Sequence, residues 1–147
     1  MPNVDLTIAH NNSAAAMRVV LLEVAKTWMG TPYLYGGNSQ VGIDCSHFVY
    51  QVFNSVRQRL ATPGPAPQLI DYRSAATIEA SRLFFRVQVP AVGDLVLWNG
   101  HVGIVTDPQA GKFIGAQTST GVAEASYVSG YWGQKPGKHF LRFIHLY

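Results

Sequence analysis

TPYLYGGNSQVGIDCSHFVYQVF, residues 31–53, passes from a glycine-rich loop into an apolar-periodic segment, and the chain's single cysteine, Cys45, sits at the change. Phe48, Val49, Val52, Phe53 and Val56 recur at helical spacing, which predicts a buried helix from Cys45 to about Leu60 with the cysteine on its first turn. Unpaired N–H groups and the positive end of the helix dipole stabilise an anion there, so a thiolate is expected over a thiol, below the ~8.5 of a free cysteine. A lone cysteine in an apolar helix is by default a structural residue. The loop before it argues otherwise: Gly30, Gly36, Gly37 and Gly42, with Pro32, describe a backbone of tight turns and close approaches that an inert core position does not require.

Upstream, Met17, Val20, Leu21, Val24 and Trp28 lie along one side of a predicted helix over 14–29, with Ser13 as N-cap, Gly30 as the stop and residues 1–12 as an extended lead. Downstream, the three-proline ATPGPAP at 61–67 is a loop, and a short helix is expected near 68–80. From Leu83 the pattern turns to strands: 83–89, then DLVLW (94–98) and HVGIVT (101–106) joined by Asn99-Gly100, a two-residue hairpin signal. KFIGAQ (112–117) and GVAEASY (121–127) read as a second pair, and 138–147 as a last strand. Helices first and an antiparallel sheet after them make the fold class α+β, in one domain over residues 1–147.

The 147 residues are 48% apolar and 13% charged, enough chain and hydrophobicity for a core and too few charges for a disordered segment. The net charge of +3 suits an anionic partner such as a cell-wall polymer, but the eleven Lys and Arg are scattered, which argues against nucleic acid. Arg18 interrupts the apolar run 14–22 and Asp5 precedes it, so that run reads as an amphipathic helix, not a signal peptide or a membrane span. Cys45 and His47 alone do not make a zinc site, and Gly36-Gly37 lacks the Gly-Lys-Ser/Thr ending of a phosphate loop. No metal or organic cofactor is implied. Asp44, Asp94 and Asp107 read as turn and cap residues.

A nucleophilic cysteine needs a base, and histidine is the usual one. Of the five histidines, His10 is in the lead, His47 follows the cysteine on its own helix, and His139 and His145 are in the last strand region. His101 opens a strand directly after the Asn-Gly turn, from which a side chain can project from a sheet edge towards a helix N-terminus.

The blocks G-T-P-Y-L-Y-G-G with D-C-S, then G-D-L-V-L-W, then H-V-G-I-V resemble the NlpC-type cell-wall cysteine peptidases, papain-like enzymes of bacteria and phages, over about residues 14–132. The resemblance implies a papain-like fold with the nucleophile helix packed on an antiparallel sheet, Cys45 as nucleophile and His101 as base. It also implies that Tyr33 lines the cleft, that Asp44 and Ser46 shape the nucleophile's turn and the neighbouring subsite, and that backbone N–H groups near Cys45 hold the oxyanion. Two positions depart from the pattern. His47 stands where the family usually has Gly, and would narrow the cleft or touch substrate. Gly115, in Phe113-Ile114-Gly115-Ala116, stands where the family commonly carries its third catalytic residue, a His. Gln117, two residues on and on the same strand face, is the expected substitute, against a backbone carbonyl or a water.

The implied activity is hydrolysis of an amide in peptidoglycan stem peptides, at the D-glutamyl–diaminopimelate bond or the D,D cross-link. The competing classes are a stem-peptide binding module that does not cut and an acyltransferase on the same thiol scaffold. The substrate lies outside the cytoplasm, so the enzyme is expected to act in periplasm or cell wall after loss of a leader or export by a dedicated secretion system. An injected amidase toxin of that kind would meet an immunity protein that plugs its cleft.

Overall fold

Met17, Leu21, Val24 and Ala25 share one side of α1 (Leu6–Lys26), and all four are buried against the second helix and the sheet. The computed structural model describes residues 6–60 and 75–146. It is an α+β, papain-like fold. α1 starts earlier than its sequence signals: residues 6–12 are helical, and Ser13 lies inside the helix instead of capping it. Residues 6–12 contain no Gly or Pro to stop a helix, and an interior Ser costs only a few tenths of a kcal/mol, roughly 0.5 at most. At the other end α1 closes at Lys26, and Thr27, Trp28 and Met29 tighten into a turn with N–H bonds to Val24, Ala25 and Lys26 carbonyls of 3.1, 3.1 and 3.2 Å.

A two-stranded ribbon of β1 (Asn38–Ser39) and β2 (Gly42–Ile43) leads into α2 (Cys45–Leu60). Phe48, Val49, Val52, Phe53 and Val56 are all buried, so the helix lays its apolar stripe on the sheet as its periodicity requires. The 61–67 loop and residues 68–74 of the expected short helix lie outside the described residues; α3 (Ala75–Ala80) is the part of that helix inside them.

Six strands then form one antiparallel sheet: β3 (Phe84–Val87), β4 (Leu95–Trp98), β5 (His101–Asp107), β6 (Lys112–Gln117), β7 (Gly121–Ser126) and β8 (His139–Phe143). Their spatial order is β3-β8-β4-β5-β6-β7, so the last strand inserts between the first two. A five-residue α4 (Gly130–Gln134) separates β7 from β8. β8 is shorter than the expected 138–147 strand, because the chain turns at Ile144–Leu146 into a 3-10 segment that carries Leu146 back to α1. β4 is buried at all four positions, since the sheet is covered on both faces. α1 and α2 cover one. On the other, Val96, Trp98, Val105, Phe113 and Tyr127 pack under Trp132 and Phe140. Asn99 and Gly100 close the β4–β5 hairpin in two residues, with Trp98 opposite His101 and Gly100 at φ +83.

One buried charge ties the ends of the chain to this sheet. Asp94, 0% exposed, accepts two close bonds from Arg142 on β8, Nε to Oδ1 at 2.9 Å and Nη2 to Oδ2 at 2.8 Å. Its Oδ2 also accepts the Ala91 N–H at 2.7 Å, and Arg18 of α1 stands 3.5 Å from Oδ1. Arg18 in turn donates to the carbonyls of Val92 and Leu146. Removing the carboxylate leaves two half-buried guanidinium groups without their anion, a larger loss than that of one ordinary hydrogen bond. Asp94→Ala should destabilise the fold by about 2–4 kcal/mol in a urea titration, and an unchanged midpoint would mean that the pair is dispensable.

Candidate active site

The loop from Gly30 to Asp44 is fixed at both ends. At its start, Gly30 donates to the Val122 carbonyl at 2.9 Å and Val122 donates back to Thr31 at 2.8 Å, which clamps the loop onto β7. Further on, Leu34 donates to the Ile43 carbonyl at 3.1 Å and Ile43 to that of Pro32 at 3.0 Å. Gly37 is required by proximity: a Cβ there would lie 2.4 Å from the Gly42 carbonyl oxygen. Folded this way, the loop sets Tyr33 beside the start of α2.

Asp44 caps that helix. Its Oδ1 accepts the His47 N–H, three residues on, at 2.9 Å, and its Oδ2 accepts the Gly36 N–H at 3.1 Å. Ser46 Oγ lies 3.3 Å and His47 Nδ1 2.9 Å from the same Oδ1. Asp44, Ser46 and His47 are therefore buried and satisfied by one another beneath the helix start, and none of them lines the cleft. The expectation that His47 narrows the cleft is corrected: its imidazole turns towards the Asp44 carboxylate, an anion that holds a polar ring more firmly than an open cleft would.

Cys45 and His101 line one cleft of about 170 Å³, together with Tyr33, the Asn99-Gly100 turn and Ala116. The backbone N–H groups of Val102, Ser46 and Cys45 itself all point at the sulfur and favour its anion. Burial outweighs them: it pushes the Cys45 thiol up to about 11, with the Asp44 charge adding to the rise. Burial likewise pushes His101 down to about 4, against the help of Gln117. The thiolate expected from the helix position is thus corrected. At rest the pair is a neutral thiol and a neutral imidazole, because desolvation of a charge exceeds what three amide dipoles return. Burial above all holds the Tyr33 phenol above its ordinary value, with the Asp44 carboxylate adding to the rise, so it is a hydroxyl donor at neutral pH.

His101 is held from two sides. Its Nε2 lies 3.3 Å from Gln117 Oε1, and Gln117 Nε2 donates to the Ala123 carbonyl at 3.2 Å, which fixes the amide's orientation. Nε2 therefore carries the proton and Nδ1 has the lone pair. Gly115 makes this arrangement sterically possible, since a Cβ there would stand 2.5 Å from Gln117 Oε1. On the other side the Trp132 indole stacks on the imidazole, with ring centroids 4.1 Å apart and planes at 19°. Trp98 and Phe113 complete the aromatic surround at 5.8 and 6.2 Å. Trp132 was not foreseen, and neither were its neighbours in the cleft, Tyr131 and Lys135. A five-residue helix is too short to show a period, and the signal that was available was the YW pair directly after Gly130.

The other histidines stand elsewhere. His139 pairs with Glu79 of α3, and the side chains of His10 and His145 lie outside the described residues. Among the described residues no cluster of three or more His, Cys, Asp or Glu is placed to hold a metal ion, and no helix is long and apolar enough to cross a membrane.

Residues 30–140 match the NlpC/P60 family. The chain belongs to that family. Its members are cysteine peptidases that act on peptidoglycan. A probable endopeptidase of Haemophilus influenzae is 33% identical over 122 residues, 78% of this chain and 68% of that protein. The probable endopeptidase NlpC of Escherichia coli K12 is 34% identical over 73% of this chain and 66% of its own length. The murein DD-endopeptidase/LD-carboxypeptidase MepS of the same organism is 31% identical, with 74% of this chain and 54% of MepS aligned. The chain thus spans between about half and two thirds of the length of these relatives. Among solved structures, the NlpC/p60 domain of the peptidoglycan hydrolase SagA superposes with a TM-score of 0.57 at 27% identity, covering 84% of this chain and 96% of that one.

The neutral imidazole has a thermodynamic signature. Unfolded His101 takes up a proton below pH 6.5, whereas the folded protein resists it down to about 4. Stability present above pH 6.5 is therefore lost as the pH falls towards 4, by about 3 kcal/mol from this group. His101→Gln should flatten that part of a urea-stability profile; an equally steep profile in the variant would place the titration in another residue.

Proposed function

We propose that this protein hydrolyses an amide bond in peptidoglycan stem peptides, with Cys45 as nucleophile, His101 as base and Gln117 as the group that orients His101. The observation that carries the reading is the shared cleft of Cys45 and His101, with Gln117 Oε1 3.3 Å behind the imidazole. His101 Nδ1 takes the thiol proton as the sulfur attacks the carbonyl carbon, so charge forms only as the bond forms. The Cys45 N–H, a first-turn donor without an intrahelical partner, and the Tyr33 hydroxyl stabilise the oxyanion. The imidazolium then protonates the leaving amine, the C–N bond breaks, and water attacks the thioester with His101 again as base.

The bond between D-glutamate and the diamino acid is the first choice. The D,D cross-link is the second, supported by the similarity to MepS, a murein DD-endopeptidase. Gly115 alone would favour a binding module that does not cut, but Gln117 stands 3.3 Å from His101 and supports the hydrolase. A long-chain acyltransferase finds little room in a cleft of about 170 Å³. Action in periplasm or wall follows from the substrate; an injected toxin with its own immunity protein rests on the resemblance alone.

Digestion of purified sacculi, with fragments identified by mass, tests both the reading and the bond. New amino termini on diaminopimelate support the first choice and cleaved D,D dimers the second; intact sacculi would overturn the hydrolase. Cys45→Ala should abolish release while keeping the fold, because alanine suits a first helical turn.

Gln117→Ala leaves nucleophile and base in place but frees the imidazole, so kcat should fall roughly 10–10³-fold with KM little changed. Gly115→His alone should lower kcat by displacing the Gln117 amide from His101, and should rescue part of the Gln117→Ala defect when the two are combined. Full kcat in Gln117→Ala would reduce Gln117 to a strand residue.

A further inference from the structure

Among the side chains lining the cleft, Lys135 alone carries a fixed charge: Cys45 and His101 are neutral at rest and the others are aromatic, polar or small. Lys135 forms no ion pair among the described residues. It is half-buried and comes from the turn that covers His101. Its N–H donates to the Tyr131 carbonyl at 3.1 Å, which anchors the backbone at the end of α4. Its Nζ stands 5.9 Å from the centroid of the Tyr131 ring, and Trp132, between them in sequence, is the residue stacked on His101. The ammonium is thus tied through one short helix to the position of the base. It is close enough to the imidazole for its charge to help keep that ring unprotonated.

A cation at the rim of a cleft without an acidic partner is a receptor for an anion. We propose that Lys135 binds a substrate carboxylate next to the scissile amide and makes the enzyme selective for stem peptides whose carboxylates are free. The proposal rests on the hydrolase reading above. The chemistry is specific: a γ-linked glutamyl residue carries an α-carboxylate beside its amide, and a diamino dicarboxylic acid carries carboxylates on the leaving side. Converting either to a carboxamide keeps the shape and removes the charge. A charged hydrogen bond in a half-buried cleft is worth roughly tenfold to a hundredfold in binding over its neutral counterpart. Tyr131 beside it, 70% exposed, gives the ammonium a ring face to rest on before substrate arrives.

Three synthetic peptides test this: L-Ala-γ-D-Glu-diaminopimelate-D-Ala, the same peptide with the D-Glu α-carboxamide, and the same peptide with a diaminopimelate carboxamide. Wild type should cleave the free acid about 10–100-fold better in kcat/KM than one of the two amides, mostly through KM. Which amide is penalised assigns the carboxylate to the acyl or the leaving side. Lys135→Met should bring the ratio towards one, and Lys135→Arg, which keeps the charge, should preserve it. Equal cleavage of acid and both amides by wild type, or an unchanged preference in Lys135→Met, overturns the proposal while leaving the hydrolase standing. Failure to cleave any of the three by protein that still releases fragments from sacculi overturns the carboxylate proposal alone; failure on peptides and sacculi alike overturns both.

Discussion

The start of α2 depends on one carboxylate. Asp44, 1% exposed, accepts from the Gly36 and His47 N–H groups and holds the Ser46 hydroxyl and the His47 ring. A buried anion is tolerable only when its lone pairs are filled, and these four partners fill them. The bonds reach both ways along the chain, to the loop at Gly36 and into the helix at His47. Loop and helix therefore share one anchor, and the thiol between them is placed by it. The same charge opposes a thiolate at Cys45, so the anchor that sets the nucleophile also helps keep it protonated until substrate enters.

That neutrality changes how the cleft is understood. A helix N-terminus is an attractive place for an anion when water reaches it. Here Trp132, Trp98 and Phe113 surround His101, and the cysteine lies almost as deep. Separated charge is expensive in such surroundings, and the amides aimed at the sulfur lower that cost without cancelling it. Their orientation is more useful later, when negative charge has moved from sulfur to the carbonyl oxygen of the substrate.

Much of this architecture is visible in local pattern. The α2 stripe, the Asn99-Gly100 turn and the all-apolar β4 each follow from a short-range rule: helical period, hairpin chemistry, burial on two faces. Counting by twos along β6 placed Gln117 on the face of Gly115. The features that escaped are those set by distant parts of the chain. β8 inserts between β3 and β4 by ladders to strands more than 40 residues upstream, and Arg142 on it reaches Asp94, 48 residues away. α4 is too short for a period and owes its place to Trp132 resting on His101, and the charge state of Cys45 depends on burial that no window of sequence reports.

Gly115 and Gln117 also constrain how this cleft can change over generations. A side chain at 115 would begin 2.5 Å from the Gln117 amide oxygen, so the amide must swing off the imidazole to admit it. A histidine acquired first at 115 meets the amide; a glutamine lost first leaves His101 without its partner. Either order is expected to pass through a variant of lower turnover, so the two positions are coupled through their common neighbour, His101. The effect of a substitution at 115 thus depends on the residue at 117, which is epistasis with a physical cause: two side chains competing for one face of an imidazole.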